Sequence, residues 1–276
     1  MSAEKKELKA STGVQGLDKM LKGGLIPGRP YVLSGSVGSG RTTLAVQFLQ
    51  QGVRQGERAL LVAIDEPPAE IRENVRYLGW DVGKIRILDV HPTAKAYSRR
   101  VAMVEIAAQR AVGSLREAKD DAKTEALKQA SPDLSVQSLQ LMLKQEFQET
   151  RYSRVVIDSL TTLKRLSGDA DISMGMMSLL RFLSESNMTC LLVTDVPDIT
   201  SVEPEIFISR GEIRLHRLMT GTKIERCVTI EKMRGSSHDT VPRPMTIAKE
   251  GVQVKAGKKV PKAALTMLQG IPGSLR

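Results

Sequence analysis

The sequence predicts an α/β fold in which a mostly parallel β-sheet is flanked by helices and carries a C-terminal antiparallel extension. Short apolar runs alternate with helical patterns up to residue 194, as expected for parallel strands joined by helices. These runs are apolar at successive positions, which indicates strands that are buried on both faces. After residue 210 the runs are separated by short turns, and this spacing favours hairpins.

The individual elements follow from the periodicity of apolar residues and from the glycine and proline residues that bound each run. We predict parallel strands at 31–34, 59–64, 85–90, 155–158 and 190–194. We predict helices at 16–21, 42–53, 69–78 and 174–184. We predict antiparallel strands at 212–218, 224–232, 245–248 and 252–254.

The segment 94–130 does not fit a minimal core of this kind and is predicted to be a long helical insertion. Its apolar residues recur at alternating spacings of three and four, but most of them are alanine, so the seam is weak. The segment is either a helix packed on its own domain or an arm that contacts a protein partner or a neighbouring subunit.

The composition is that of a globular protein with an aliphatic core. Hydrophobic residues make up 41% and charged residues 26% of the 276 residues, whereas aromatic residues make up only 3%. No run of about 18 apolar residues occurs, so no membrane span is expected. The charged N-terminus lacks the apolar region of a secretory signal, and we expect a cytoplasmic protein.

The cysteine and histidine residues indicate neither a disulfide framework nor a metal site. Cys190 and Cys227 lie in predicted strands, which favours buried, reduced thiols. His91, His216 and His238 are scattered and lack the spacing of metal ligands.

The formal net charge is +10, and the segment 255–276 is a basic C-terminal tail. Basic residues, but no acidic ones, follow Gly251. Such a tail can bind nucleic acid or an acidic membrane surface. The alternative is a solvated terminus without a partner. We therefore divide the chain into one domain over 1–254 and this tail.

The strongest motif lies between the first predicted strand and the helix that follows it. The segment Gly35-Ser36-Val37-Gly38-Ser39-Gly40-Arg41-Thr42 fits the phosphate-binding pattern G-x-x-x-x-G-K-[ST] except at Arg41. Glycines let backbone N–H groups face phosphate oxygens, and the N-terminus of the next helix favours the same anion. The predicted nucleotide-binding residues are Ser36, Val37, Gly38, Ser39, Gly40, Arg41, Thr42 and Thr43.

Arg41 stands where most loops of this type carry lysine. Arginine keeps the positive charge but is bulkier and planar, whereas lysine ends in a compact point charge. We therefore expect phosphate binding to be retained, and we expect hydrolysis, whose geometry is stricter, to be impaired.

Carboxylates follow two of the predicted parallel strands. Asp158 ends the run 155–158, where a carboxylate is expected to hold Mg²⁺ together with the Thr42 hydroxyl. Asp65 and Glu66 follow the second strand, at the edge where ligands bind in such sheets. These two carboxylates either polarise a water for attack on a γ-phosphate or only interact favourably with the dipole at the N-terminus of the next helix.

Taken together, these residues resemble the KaiC-like branch of the RecA/RadA superfamily of ATPases over about 11–92 and 133–254. The matching blocks are 11–21, 23–28, 35–42, 56–61, 65–68, 78–81, 156–160 and 232–236. The resemblance implies a RecA-like P-loop core. It also implies that ATP and Mg²⁺ bind between the subunits of a ring, which is usually a hexamer.

The resemblance also implies roles for individual residues. Asp65 corresponds to the carboxylate that acts as the base, and Glu66 matches the second acidic position. Thr194 resembles the polar sensor at the end of the fifth strand. Lys232 and Arg234 look like the pair that a neighbouring subunit extends to the γ-phosphate.

Three features depart from the family pattern. Asp65 is one methylene shorter than the glutamate of many relatives, and this chain has one such domain where the clock protein has two. Ile206 and Phe207 stand about where the clock protein carries its phosphorylated Ser-Thr pair. Autophosphorylation of the clock type is therefore not expected.

Three functions remain open from the sequence. The first is a slow, ring-forming ATPase that uses its nucleotide state as a switch. The second is a nucleotide-sensing scaffold that binds ATP without useful turnover. The third is a DNA-linked recombination or repair accessory ATPase, which the net charge favours, although no helix-turn-helix, zinc finger or aromatic stacking surface is recognised.

Overall fold

The computed structural model describes residues 9–91, 134–167, 172–195 and 203–270, and its strands form one sheet. The strands are β1 (Pro30–Gly35), β2 (Ala59–Ala63), β3 (Ile85–Asp89), β4 (Arg154–Asp158), β5 (Thr189–Thr194), β6 (Gly211–Thr220), β7 (Lys223–Met233), β8 (Arg243–Ala248) and β9 (Gly251–Val254). Their order is β3-β2-β4-β5-β1-β6-β7-β8-β9. Neighbours from β3 to β6 are parallel, and neighbours from β6 to β9 are antiparallel.

Helices cover both faces of this sheet. They are α1 (Gln15–Met20), α2 (Arg41–Arg54), α3 (Pro68–Arg76), α4 (Val136–Glu149), α5 (Leu160–Leu166), α6 (Ile172–Glu185), α7 (Pro204–Ile208) and α8 (Lys262–Gly270). Helices α1, α2 and α3 contribute to the core on one face, and α4, α5 and α6 contribute to the core on the other.

Successive residues of the central strands point to opposite faces, and each face has its own hydrophobic core. In β2, Leu61 and Ala63 belong to the cluster that contains Phe48 of α2. Leu60 and Val62 belong to the cluster on the other face. Because both faces of the parallel strands are buried, these strands appear in the sequence as continuous apolar runs.

The predicted fold class is confirmed. Each strand and helix predicted within the described residues is present, with boundaries that differ by at most two residues. Helices α4, α5, α7 and α8 were not predicted from the sequence. The predicted helical insertion 94–130 lies outside the described residues.

Helix α4 shows why one of these elements was missed. Ser135 caps its N-terminus, because the Ser135 hydroxyl accepts a hydrogen bond from the Ser138 backbone N–H at 3.0 Å. Leu139 and Leu143 on the same face are fully buried. A capping box normally carries Glu or Gln at the third helical position, whereas here the Ser138 hydroxyl accepts the hydrogen bond from the Ser135 backbone N–H, so the sequence signal is weak.

The basic tail packs on the domain over part of its length. Ala264 and Leu268 of α8 are fully buried in a cluster with Leu218 and Cys227 of the β6–β7 hairpin. The alternative of a solvated terminus is therefore wrong for 262–268. These small and apolar residues of α8 follow four exposed lysines, which dominate the sequence pattern of the tail: Lys255, Lys258, Lys259 and Lys262.

Both cysteines are free and buried, as predicted. Burial raises the pKa of Cys190 and of Cys227 to about 12, so both are inert thiols at neutral pH. Among the helices of the described ranges, none is both long enough and apolar enough to cross a membrane.

His216 is buried between β6 and β7 in a polar setting. Its Nε2 atom lies 2.8 Å from the Thr229 hydroxyl, and that hydroxyl donates its single proton to the Glu231 carboxylate. The Nε2 atom of His216 must therefore be the donor to Thr229. Burial lowers the pKa of His216 to about 4, and the positive charge of Arg214 acts in the same direction.

Acidification is expected to destabilise the fold through His216. Its pKa rises from about 4 in the folded protein to about 6.5 in the unfolded chain, so the unfolded chain binds more protons between these values. The free energy of unfolding should therefore fall as the pH drops from 6.5 towards 4, by on the order of 2 kcal/mol at pH 5. Urea unfolding of the wild type and of His216→Gln at pH 7 and pH 5 measures this term.

The glutamine variant keeps a donor for Thr229 but cannot titrate. Its loss of stability between the two pH values should be smaller than that of the wild type. Equal losses in the two proteins would show that His216 does not contribute to the pH dependence.

Candidate functional site

The segment predicted to bind phosphate forms a tight loop between β1 and α2. Gly38 and Gly40 have φ values of 74° and 102°, which residues with a Cβ rarely adopt. A Cβ on Gly40 would also lie 2.6 Å from Cδ1 of Ile247. Arg41 is the first residue of α2, so the loop delivers the chain directly to a helix N-terminus. The motif therefore has the local geometry on which the prediction depends.

Side chains behind and beside the loop hold it in place. The buried hydroxyl of Ser39 lies 2.6 Å from where a Cβ on Gly35 would stand, which explains the glycine at the end of β1. Arg226 of β7 donates from Nε and Nη2 to the Gly38 carbonyl at 3.2 and 3.1 Å. The antiparallel extension thus supports the loop through a contact that no sequence motif indicates.

Thr42 and Asp158, predicted as metal ligands, are in contact. The Thr42 hydroxyl donates to Oδ2 of Asp158 at 2.8 Å across the gap between α2 and the end of β4. Burial raises the pKa of Asp158 to about 6, and repulsion by Asp65 and Glu66 adds to this effect. The hydrogen bond from Thr42 and the charge of Arg41 act in the opposite direction. Asp158 is a carboxylate that a nearby cation would stabilise in its charged form.

Asp65 and Glu66 lie between the end of β2 and the start of α3. The Ser159 hydroxyl donates to Oδ2 of Asp65 at 3.0 Å, and Asn74 of α3 donates to Oε2 of Glu66 at 3.2 Å. Because β2 and β4 are parallel neighbours, Asp65 and Glu66 emerge beside Asp158. Both carboxylates are therefore oriented by neighbouring side chains at the same edge of the sheet.

The side chain of Arg41 points towards the end of β5. Its Nη1 atom lies 2.6 Å from Oδ1 of Asp195 and donates to the Thr194 carbonyl. The Thr194 hydroxyl lies 3.2 Å from the hydroxyl of Thr161 on α5. The predicted sensor Thr194 is thus linked to Arg41 through its backbone, and its side chain faces α5.

One cavity of about 440 Å³ brings most of the predicted residues together. Its lining residues among the described part of the chain are Val37, Gly38, Gly40, Arg41, Thr42, Thr43, Asp65, Glu66, Asp158, Ser159, Thr162, Arg165 and Asp195. Ser159, Thr162, Arg165 and Asp195 were missed, because single polar residues after a strand or on a short helix form no recognised motif. A larger cavity of about 570 Å³ lies between α4 and α6 and contains none of the predicted site residues.

The residues around the 440 Å³ cavity fit a magnesium nucleotide. The loop and the N-terminus of α2 offer backbone N–H groups, and Arg41 offers a cation. Within the described ranges, no group of three or more His, Cys, Asp or Glu residues is arranged to hold a metal ion. Mg²⁺ commonly binds through one or two protein oxygens together with phosphate and water, and Thr42 and Asp158 suit that mode.

Lys232 and Arg234 lie near the N-terminal ends of the parallel strands, whereas this cavity lies at their C-terminal ends. Met233 pairs with Gly211, which pairs with Tyr31 near the start of β1. The phosphate loop begins after Gly35, about 13 Å further along the strand at 3.3 Å per residue. The pair is therefore separated from the phosphate loop of its own chain.

The α7 helix holds both cationic side chains. Lys232 Nζ donates to the carbonyls of Ile206 and Phe207, and Arg234 Nη2 donates to the Phe207 carbonyl at 3.1 Å. Burial lowers the pKa of Lys232, and the charge of Arg234 contributes to this. These contacts orient the two cations together on one side of the molecule.

Comparison with known proteins gives a consistent result. The chain matches the family model described as "ATPase: KaiC" over residues 10–259. It is 31% identical to a UPF0273 protein of Thermotoga maritima over 261 residues, which cover 89% of this chain and 95% of that protein. It is 26% identical over 258 residues to the circadian clock oscillator protein KaiC of Parathermosynechococcus lividus, and the match covers only 42% of the clock protein.

A solved structure supports the same assignment. The crystal structure of a KaiC-like protein from the hyperthermophilic archaeon Pyrococcus horikoshii aligns with a TM-score of 0.68 and 25% sequence identity. The alignment covers 89% of this chain and 98% of that chain. Because the family model covers most of the sequence, this protein is a member of the KaiC family of ATPases.

Proposed function

We propose that this protein is a slow ATPase that uses its nucleotide state as a switch within a ring oligomer. The observation that supports this most strongly is the convergence of the phosphate loop, the Thr42–Asp158 pair and the two carboxylates Asp65 and Glu66 around one cavity. A site for binding alone needs the loop and a cation. The additional carboxylates favour chemistry at the end of the phosphate chain.

In this proposal the loop residues 36–40 and the N-terminus of α2 bind the phosphates of ATP. Thr42 and Asp158 would hold Mg²⁺, which would supply positive charge to the phosphate oxygens. Asp65, oriented by Ser159, accepts the proton of the attacking water, and Glu66 supports the same position electrostatically.

Slow turnover is proposed from two features of this chain. Arg41 already contacts Asp195 and the Thr194 carbonyl, so one of its nitrogen atoms is engaged away from the loop. Asp65 also has a shorter reach than a glutamate would have at the same position. Both features weaken the positioning on which phosphoryl transfer depends.

The ring and its size are tested together with hydrolysis. Size-exclusion chromatography with light scattering, with and without ATP and Mg²⁺, gives the mass, and released phosphate is measured on the same samples. We expect a closed ring with the mass of a hexamer. We expect a turnover number below about 1 s⁻¹, which is the low end of the range for ordinary enzymes. A monomer under all conditions would contradict the ring.

The second candidate function is a nucleotide-sensing scaffold without useful turnover. The engagement of Arg41 by Asp195 favours it, because a charge that is already paired contributes less to a developing transition state. Saturable binding of Mg-ATP together with phosphate release no faster than that of protein-free ATP would select the scaffold over the ATPase.

Lys232 and Arg234 are expected to act on the nucleotide of the neighbouring subunit. We therefore expect that Lys232→Ala/Arg234→Ala and Asp158→Ala are each inactive alone but recover turnover when mixed. The Asp158→Ala subunit then supplies its cations to an intact loop next to it. Phosphate release is measured after the subunits have been mixed and exchanged.

The control for this experiment is each variant mixed with itself. Exchange between the two variants is verified by mass measurement of differently tagged subunits. Mixed oligomers that form but show no recovery would place the action of the two cations within their own chain.

A further inference from the structure

The ion pair between Arg41 and Asp195 is the feature that the family pattern does not explain. Arg41 Nη1 lies 2.6 Å from Oδ1 of Asp195, and the Arg41 side chain is only 14% exposed. A cation that is meant for phosphate is therefore paired with a carboxylate inside the same cavity. Ion pairs that are partly shielded from water are stronger than fully exposed pairs.

The position of Asp195 is fixed by its surroundings. Its backbone N–H donates to the Thr161 hydroxyl of α5 at 2.8 Å, and it directly follows Thr194 at the end of β5. Because β5 and β1 are parallel neighbours, the end of β5 lies beside the start of the phosphate loop. The carboxylate is thus held within reach of Arg41 by the sheet itself.

A second cation lies near the same carboxylate. Arg165 Nη2 is 3.8 Å from Oδ2 of Asp195, and the Arg165 side chain is 75% exposed and lines the cavity. Both cations that face the cavity from the described residues therefore share Asp195 as their anionic partner. Asp195 is 38% exposed, so it is open to exchange with a competing anion.

We propose that Asp195 sets nucleotide affinity by competing with the phosphate groups for Arg41. The inference rests on the proposed function, because it presumes that phosphates bind in the loop. Two anions cannot both be neutralised by one guanidinium, and a carboxylate close to phosphate repels it. Asp195 is thus a specificity-determining residue. It lowers the affinity for weakly charged ligands, whereas a polyphosphate bound with Mg²⁺ displaces it from Arg41.

The side chain at position 41 makes this competition possible. The guanidinium of Arg41 reaches Asp195 through its outermost nitrogen, whereas the ammonium of a lysine would end one bond earlier on the chain. Nη1 of Arg41 contacts both the Asp195 carboxylate and the Thr194 carbonyl, so both contacts depend on this longer reach. The competition is therefore specific to arginine at this position.

The test is equilibrium binding of the magnesium complex of a non-hydrolysable ATP analogue, measured by calorimetry. Asp195→Asn keeps the shape of the side chain and removes its charge. We expect the dissociation constant of Asp195→Asn to be roughly tenfold lower than that of the wild type, as for loss of a charge-assisted hydrogen bond that competes with the ligand.

Asp89→Asn is the matched control, because it removes one negative charge at the end of the parallel strand β3, and Asp89 does not line the cavity. Its effect on the dissociation constant should be no more than about twofold, as for a charge that acts only through space. In an Arg41→Lys background, Asp195→Asn should also change the dissociation constant by no more than about twofold.

The outcomes separate the inference from the proposed function. If the wild type binds the analogue but Asp195→Asn binds it no more tightly than Asp89→Asn does, or more weakly, competition by Asp195 is wrong and the phosphate site remains. If the wild type does not bind the analogue at all, both proposals are wrong. Asp195→Ser serves as a second variant, and thermal unfolding confirms that each variant is folded.

Discussion

Replacing Asp158 by alanine is expected to lower ATP turnover by about a hundredfold or more, because metal stabilisation of phosphoryl transfer is worth several kcal/mol. Asp158 is the half-buried carboxylate in contact with Thr42, and it faces the loop from the end of a central strand. Its removal leaves the Thr42 hydroxyl as the remaining predicted metal ligand from the protein. Released phosphate, measured at saturating Mg-ATP, gives the effect directly.

Asp89 provides a matched control for this substitution. It ends β3 as Asp158 ends β4, and both strands pair in parallel with β2. Asp89 accepts a hydrogen bond from the backbone N–H of His91 and does not line the cavity. Asp89→Ala should keep turnover within about twofold of the wild type. Unchanged turnover in Asp158→Ala would show that the assignment of Asp158 is wrong.

The second large effect concerns the fold. Arg154 begins β4 and its side chain is fully buried. It pairs with Glu57 at 2.5 Å, and it donates to the Ser11 carbonyl at 2.6 Å and to the Phe48 carbonyl at 2.9 Å. Its guanidinium also lies over the Phe48 ring, 4.6 Å from the centroid. One side chain thus joins the N-terminal segment, the C-terminal half of α2 and the sheet.

Arg154→Leu is therefore expected to lower the free energy of unfolding by about 3 kcal/mol, as when one partner of a buried ion pair is removed. The substitution leaves the Ser11 and Phe48 carbonyls and the Glu57 carboxylate without this donor. Chemical unfolding, followed by circular dichroism, measures the loss. Arg58→Leu is the control, since Arg58 is exposed at the neighbouring strand and should cost less than about 0.5 kcal/mol. Equal losses in the two variants would contradict the structural role of Arg154.

The parts of the site that were predicted from sequence are those whose signal is local. The loop 35–42 lies between an apolar strand and a helix, and Asp158 ends an apolar run. Each feature can therefore be recognised from a few adjacent residues. The strands were predictable for the same reason, because burial on both faces leaves continuous apolar runs.

The parts that could not be predicted depend on which strands are neighbours. The pairing of Arg41 with Asp195 arises because β5 lies next to β1, although 153 residues separate Arg41 from Thr194. Arg154 precedes the apolar run of its strand and resembles an exposed strand boundary in the sequence. Its burial follows from partners in two other segments, which the sequence does not place beside it.

Residues 35–42 are expected to bind the phosphates of a magnesium nucleotide. The most direct measurement is a crystal structure of the protein with Mg²⁺ and a non-hydrolysable ATP analogue. We predict phosphate oxygens within hydrogen-bond distance of the backbone N–H groups of the loop, and Mg²⁺ in contact with the Thr42 hydroxyl. A nucleotide bound elsewhere on the protein, with the loop free of phosphate, would contradict the account.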